Sequence, residues 1–329
     1  MTTLLTGATG FVGSAVARVL AARGHSLRLL TRPTSDRRNL AGVDAEVVTG
    51  DLTDPASLAR AAAGCRYVVH VAADYRFWVP HPEEMLRANV QGSVAVMRAA
   101  QQAGAERIVY CSSVAALGQR SDGRPADEAT PVDQDSLIST YKRSKYRAEQ
   151  AVLDLVRGEN LPIVVVNPAA PVGPRDIKPT PTGKMIMDAA NGRMPAYLDT
   201  GLNVVHVDDV AEGHALALER GRIGERYILG GENLDLKDLL TLVAHVAGRR
   251  PPTIRLREAW IWPVALGMEG FALLTGIPPL VTRDHLKMAR KKMFFTSAKA
   301  TAELGYTPRP ARLAVEDAVA WFRANGMVR

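Results

Sequence analysis

Cysteine is nearly absent: the 329 residues contain two, Cys65 and Cys111, both in apolar runs. Two thiols without metal-ligand spacing exclude a disulfide framework and a metal module, and they suit a reducing compartment. Lys and Arg outnumber Asp and Glu by only 41 to 34, a formal charge of +7. The basic residues are scattered and no reader motif accompanies them, so no nucleic-acid partner is expected. The N-terminus lacks the basic segment and apolar core of a signal peptide, which makes the cytoplasm the expected location. No apolar run reaches the ~20 residues of a membrane span. The nearest, "AWIWPVALGMEGFALLTGIPPLV", is broken by Pro263, Glu269, Gly270 and Pro278. Residues 259–281 read as a core or lid helix, as a peripheral membrane contact that takes up a lipid-bearing substrate, or as a homodimer contact.

What is present is alternation. Strand-like apolar runs at 3–6, 26–31, 45–52, 67–73, 107–113 and 161–168 are separated by helical stretches at Phe11–Ala22, from Pro55, and near 83–103 and 141–156. Short, nearly all-apolar strands between helices predict an α/β Rossmann fold, a doubly wound parallel sheet covered on both faces. Past residue 168 the regularity breaks, and "NPAAPVGPRDIKPTPTG" reads as loop because it is rich in proline and glycine. The division expected is a dinucleotide-binding domain over 1–168 and a smaller C-terminal α/β substrate lobe over 169–329, with some segments returning to the first.

"TGATGFVG" places Gly7, Gly10 and Gly13 at the first strand–helix junction. Such glycines allow a sharp turn, close approach of backbone to a pyrophosphate, and tight helix–strand packing. The helix opening at Phe11 and Val12 offers free N–H groups and a positive dipole end to the phosphates. After the third run, Asp51 is placed to accept from an adenine amino group and Leu52 to pack on its face. Ala72 and Ala73 end the fourth run, where small residues let a dinucleotide cross the sheet, and Pro168 and Ala170 complete the set of cofactor contacts.

"LRLLTRPTSDRRNL" (27–40) decides which dinucleotide is expected. An acidic residue at Thr31 would accept from a ribose 2′-OH and repel a 2′-phosphate. With Thr31 neutral, Arg32 next to it and Arg37 or Arg38 able to close over the site, a 2′-phosphate finds charge-assisted donors. NADP(H) is the expected cofactor and NAD(H) the alternative; no metal is expected.

"YKRSK" puts Tyr141 and Lys145 at i and i+4 on one helix face. A phenol of pKa ~10 is a poor base at neutral pH, and a nearby ammonium makes it a better one. Ser112 and Ser113 end the fifth run, at the sheet edge where ligands of such folds bind. Around them, Asp74, Tyr75, Phe77 and Trp78 of "DYRFW" and Arg175 of "GPRD" are candidates to touch substrate. His70, His206 and Asp208 read as structural.

The ordered set resembles the extended short-chain dehydrogenase/reductases, their epimerase/dehydratase branch, over essentially the whole chain. The residues that carry the likeness are "TGATGFVG", "GDL", "HVAA", "ANVQGS", "YCSS", "YKRSK", "NPAAPVGP", "VVHVDDVA" and "TSAKATAELGYTPRP". "RPTSDRRNL", "VAADYRFW", "GPRDIKPTPTG" and "RMPAYLDTGLN" make it most similar to hopanoid-associated sugar epimerases and to dihydroflavonol 4-reductases. The resemblance implies Ser113, Tyr141 and Lys145 at the catalytic positions and Asn89 as a cofactor-side or relay residue. It implies a small-molecule substrate: a sugar, a nucleotide-sugar or a lipid-linked polyol of hopanoid side-chain synthesis. Where 4,6-dehydratases of the branch carry an Asp-Glu pair beside the serine, "CSSVAALG" has none, so dehydration is not implied. Val172 before Gly173-Pro174 and Asn167 before Pro168 depart from the nucleotide-sugar epimerase pattern. The reading is therefore hydride transfer to a carbonyl or from a hydroxyl. An epimerase with tightly bound NAD(P), and a non-catalytic NADP-binding redox sensor, are the alternatives.

Overall fold

A computed structural model of the chain describes residues 1–74, 82–137, 139–257, 261–263, 265–268 and 291–329. Its central sheet is built from β1 (Thr2–Thr6), β2 (Ser26–Thr31), β3 (Ala45–Thr49), β4 (Tyr67–His70), β5 (Arg107–Cys111) and β6 (Ile163–Pro168). These strands are apolar at successive positions because both of their faces are buried. Leu5, Val69, Val109 and Val164 point into one core, while Leu4, Val68, Ile108 and Ile163 point into the other. Helices α1 (Phe11–Ala22), α2 (Pro55–Ala62), α3 (Pro82–Gln102) and α4 (Thr140–Glu159) connect them. Between β6 and a returning strand lie β7 (Ala170–Val172), α5 (Pro181–Ala190), β8 (Ala196–Leu198), β9 (Gly201–His206) and α6 (Val207–Arg220).

That returning strand, β10 (Arg226–Leu229), pairs in parallel with β6 as the seventh strand of the sheet. The order is β10-β6-β5-β4-β1-β2-β3. The chain reverses direction across the sheet between β1 and β4, and the crevice beyond their carboxyl ends is where open α/β sheets bind ligands. A three-stranded sheet, β7, β9 and β11 (Glu232–Asp235), and a pair formed by β8 and β12 (Ile254–Leu256) make up the rest. They lie with α5, α7 (Leu236–Ala247) and the helix Ala311–Ala324 around a third apolar cluster containing Ile186, Leu239, Val243, Val315 and Phe322.

Two sequence expectations need correction. "NPAAPVGPRDIKPTPTG" is not loop throughout: β6 runs to Pro168, β7 occupies Ala170–Val172, and α5 starts at Pro181. Proline tolerated at a helix's first turn, with Thr180 capping the Gly183 N–H, makes this proline an initiator rather than a breaker. The runs 45–52, 67–73 and 107–113 also end as strands at Thr49, His70 and Cys111. Their last residues leave the ladder, each held by one further bond: Gly50 N–H to Thr31 O, Val71 N–H to Thr6 O, Ser112 N–H to Val166 O. Asp51, Ala72 and Ser113 therefore stand on the rim of the crevice rather than inside strands.

Tyr75, Phe77, Trp78 and most of 259–281 lie outside the described residues. Among the described residues no helix is long and apolar enough to cross a membrane, and no cluster of three potential metal ligands occurs.

Candidate active site

The glycine turn is shaped by close approach. Gly7 has φ +76°, and a Cβ there would stand 2.6 Å from the Ala72 nitrogen; a Cβ on Gly13 would stand 2.1 Å from the Gly7 carbonyl oxygen. Side chains at either position would push β1, β4 and α1 apart. The N-terminus of α1 also differs from its neighbours. Asp54, Ser139 and Thr180 cap α2, α4 and α5 with side-chain oxygens, whereas Gly10 caps α1 with none. The N–H groups of Phe11, Val12 and Gly13 have no helical acceptor within reach. A positive helix end left uncapped, over a cradle that any side chain would fill, fits a pyrophosphate.

At the end of β2 the three arginines are not equivalent. Asp36 accepts from Arg38 Nε and Nη2, and the pair is largely spent on itself. Arg37 Nη2 donates to Thr31 Oγ1 at 3.2 Å, which folds its guanidinium back over the end of the strand. The exposed Arg32 side chain makes no hydrogen bond or ion pair among the described residues. On the neighbouring rim, the Asp51 carboxylate accepts from Thr53 N–H at 2.9 Å and Thr53 Oγ1 at 2.7 Å, and these bonds hold its pKa below the ordinary value. Asp54, not Asp51, caps α2. Leu52 packs toward Gly92 of α3.

Ser113, Tyr141 and Lys145 are brought together by β5 and the first turns of α4. Ser113 caps a short turn through Ala115 N–H at 3.1 Å, and its hydroxyl draws the Tyr141 phenol's pKa down. Burial pushes the Tyr141 pKa up, against the pull of that hydroxyl. Lys145 is buried, with its pKa pushed down by loss of water. Its Nζ donates to the Cys111 carbonyl at 3.0 Å and sits over the Tyr110 ring, 5.6 Å from the centroid. An ammonium and a phenol one helical turn apart, beside a hydroxyl, can deliver a proton to an oxygen held at the rim.

The flanking residues are largely committed. Asn89 grips the Asp74 backbone from both sides, accepting its N–H at 2.7 Å and donating to its carbonyl at 2.8 Å, and also donates to Ser144 Oγ at 3.0 Å. It ties the rim after β4 to α4. Arg175 adopts φ +75°, unusual for a side chain with a Cβ, and donates to Asp208 Oδ1 at 2.6 Å. Its buried Nε has no hydrogen-bond partner among the described residues. Pro168 is buried at the end of β6 and Ala170 opens β7. His206 caps α6 and bonds Asp317, and His70 bonds Thr6 and Ser93 in the core. Burial pushes His70 down to about 3, so its ring is neutral.

Lys142, which the sequence reading passed over, is buried beside Tyr141. Among the described residues its Nζ has one partner, the neutral Gln119 Oε1 at 3.4 Å, and burial followed by repulsion from Lys291 pushes its pKa down to about 8. An unfolded lysine titrates near ~10.4, so the folded state binds fewer protons between these values. Burying this charge costs about 3 kcal/mol below pH 8, and the cost fades as pH rises through that window. Lys142→Met is expected to stabilise the protein by about 2 kcal/mol at pH 7 after the loss of the Gln119 bond, and by almost nothing at pH 10. Urea unfolding at the two pH values reads this; equal differences at both would refute it.

The family model described as "NAD dependent epimerase/dehydratase family" matches residues 3–230. The chain is 41% identical to a protein of Synechocystis sp. provisionally named dihydroflavonol 4-reductase, over 99% of this chain and 95% of the other. It is 34% identical to sterol demethylase protein B of Methylococcus capsulatus, over the whole of both. Among solved structures, that of gox2253 superposes with a TM-score of 0.91 at 64% identity, covering 100% of this chain and 99% of the other.

Proposed function

Because this chain belongs to the NAD dependent epimerase/dehydratase family, a family of NAD(P)-dependent enzymes, we propose that it is an NADP-dependent oxidoreductase. In this reading it transfers hydride to the carbonyl, or from the hydroxyl, of a sugar- or polyol-like substrate. The observation that carries the cofactor choice is the neutral Thr31 with Arg37 folded over it and the exposed Arg32 next in the chain, which makes no hydrogen bond or ion pair among the described residues. That arrangement accepts a 2′-phosphate and offers nothing to a bare 2′-OH that Thr31 would not already supply. A polyol borne on a lipid, hopanoid side-chain intermediates included, suits the likeness to a sterol-modifying protein.

The residues divide the work as follows. The amides of Phe11, Val12 and Gly13 hold the pyrophosphate, Arg32 and Arg37 the 2′-phosphate, and Asp51 and Leu52 the adenine; Ala72, Ala73, Pro168 and Ala170 line the crossing. The nicotinamide, when bound, supplies or takes the hydride. Ser113 hydrogen-bonds the substrate's reacting oxygen. Tyr141 gives that oxygen its phenolic proton as a carbonyl becomes an alcohol, and takes a proton back in the reverse direction. Burial keeps the phenol protonated at neutral pH, the form that reduction needs. Lys145 stabilises the phenolate left behind and holds the cofactor ribose. With Asn89 holding Asp74 and Asp208 holding Arg175, those two candidates shape the substrate wall.

Gel filtration followed by cofactor titration tests the reading. The protein is expected to emerge free of dinucleotide and to bind NADPH, followed by fluorescence transfer, at least tenfold more tightly than NADH. Stoichiometric NAD that survives gel filtration would overturn it in favour of an epimerase.

A further inference from the structure

Two turns of α4 place Tyr141, Lys145 and Glu149 on one face. Glu149 is wholly buried, a costly position for a carboxylate. Its oxygens are used in two directions: Oε2 accepts from Asn167 Nδ2 at 2.6 Å, and Oε1 from Arg226 Nη1 at 3.3 Å. Asn167 Nδ2 also donates to the Ser113 carbonyl at 3.1 Å. Arg226 is fixed in turn, its Nη2 donating to the Glu128 carbonyl at 2.6 Å while Glu128 Oε1 accepts from Ile228 N–H at 2.8 Å. A continuous set of bonds thus runs from the added strand β10, through α4 and β6, to the residue proposed to meet the substrate.

Stability alone is a poor reason for such a pair, since apolar residues of similar volume often replace a buried ion pair without loss. Its surroundings give a better one. Among the described residues, the groups around Lys145 are the Cys111 carbonyl and thiol and the Tyr110 ring on β5, His70 on β4, and Tyr141 and Glu149 on its own helix face. Burial pushes the Cys111 thiol up to about 11 and the Tyr110 phenol far above its ordinary range, and His70 is neutral. The carboxylate of Glu149 is therefore the negative charge available to Lys145 among the described residues. Burial pushes the Glu149 pKa up, but the permanently charged Arg226 and the Asn167 amide oppose protonation.

We infer that Glu149 is a positioning residue of this site: anchored by Arg226 and tied through Asn167 to Ser113, it supplies the charge that keeps Lys145 an ammonium. The inference rests on Lys145 acting as proposed above, but its test needs neither substrate nor turnover. Lysine labelled with carbon-13 at Cε in the full chain reports each ammonium by NMR, and Lys145→Arg identifies the signal of Lys145. Glu149→Gln, nearly isosteric, is expected to lower the Lys145 titration midpoint by about one pH unit or more. Arg226→Met is expected to do the same, because an unanchored Glu149 takes up a proton; it also serves if Glu149→Gln does not fold. A Lys145 midpoint that stays in place in either folded variant would overturn the inference, leaving Glu149 only a strut between α4 and β10. A wild-type protein that binds NADPH no more tightly than NADH, with the midpoint shift intact in the variants, would count against the cofactor reading alone.

Discussion

Tyr141→Phe is expected to lower carbonyl reduction about a thousandfold while leaving NADPH affinity within about twofold. The substitution keeps the ring in its packing and removes the hydroxyl proposed to carry the proton. A positioned general acid contributes about 10²–10⁴ to rate, and its described neighbours are engaged elsewhere or too weak: Lys145 is turned to the Cys111 carbonyl, Lys142 to Gln119, and the Ser113 hydroxyl is a far weaker acid. The direction with pH follows from the protonated form. Reduction should hold through neutral pH, because burial raises the phenol's pKa, and fall as pH climbs through it. A rate constant above one tenth of wild type in the phenylalanine variant, with NADPH bound normally, would remove Tyr141 from the chemistry.

Arg32→Ala is expected to weaken NADPH binding about tenfold to a hundredfold and to leave NADH binding unchanged, since a hydrogen bond to a charged group contributes about 1.5–3 kcal/mol. Thr31→Asp should reverse the preference, by repelling the 2′-phosphate and accepting from the 2′-OH. Arg38→Ala provides the control: its guanidinium is already held by Asp36, so the ratio of affinities should stay as in wild type. Titration of each variant with both reduced cofactors decides the matter. An Arg32 variant with an unaltered ratio would show the loop to be merely a solvated basic surface.

Much of the site was legible in the residue order because it depends on local geometry. Gly7 and Gly13 are demanded by a turn in which a Cβ would meet backbone at 2.6 and 2.1 Å. Tyr141 and Lys145 share a helix face at any i, i+4 spacing, and Thr31 with Arg32 sits at the end of a strand that periodicity alone locates. The roles of Asn89 and Arg175 were less visible. Both bear polar groups suited to a ligand, yet Asn89 is engaged by the backbone of Asp74, 15 residues away, and Arg175 by Asp208, 33 residues away. Lys142 and Glu149 left one usable signal, a charge in the stripe of α4 that its apolar neighbours Ala148 and Val152 mark as buried.

By itself, then, the sequence determined the parallel sheet, the glycine turn and the helix-face pairing of Tyr141 with Lys145, because strand periodicity, helix spacing and glycine sterics act over a few residues. Tertiary structure alone decided what surrounds them. β10 had to travel some sixty residues from β6 to become the seventh strand and bring Arg226 to Glu149. Lys145 and the Glu149 carboxylate one helical turn away acquire their charge states only when water is excluded by elements distant in the chain. Desolvation and long-range ion pairing have no period, so no pattern of residues along the chain records them.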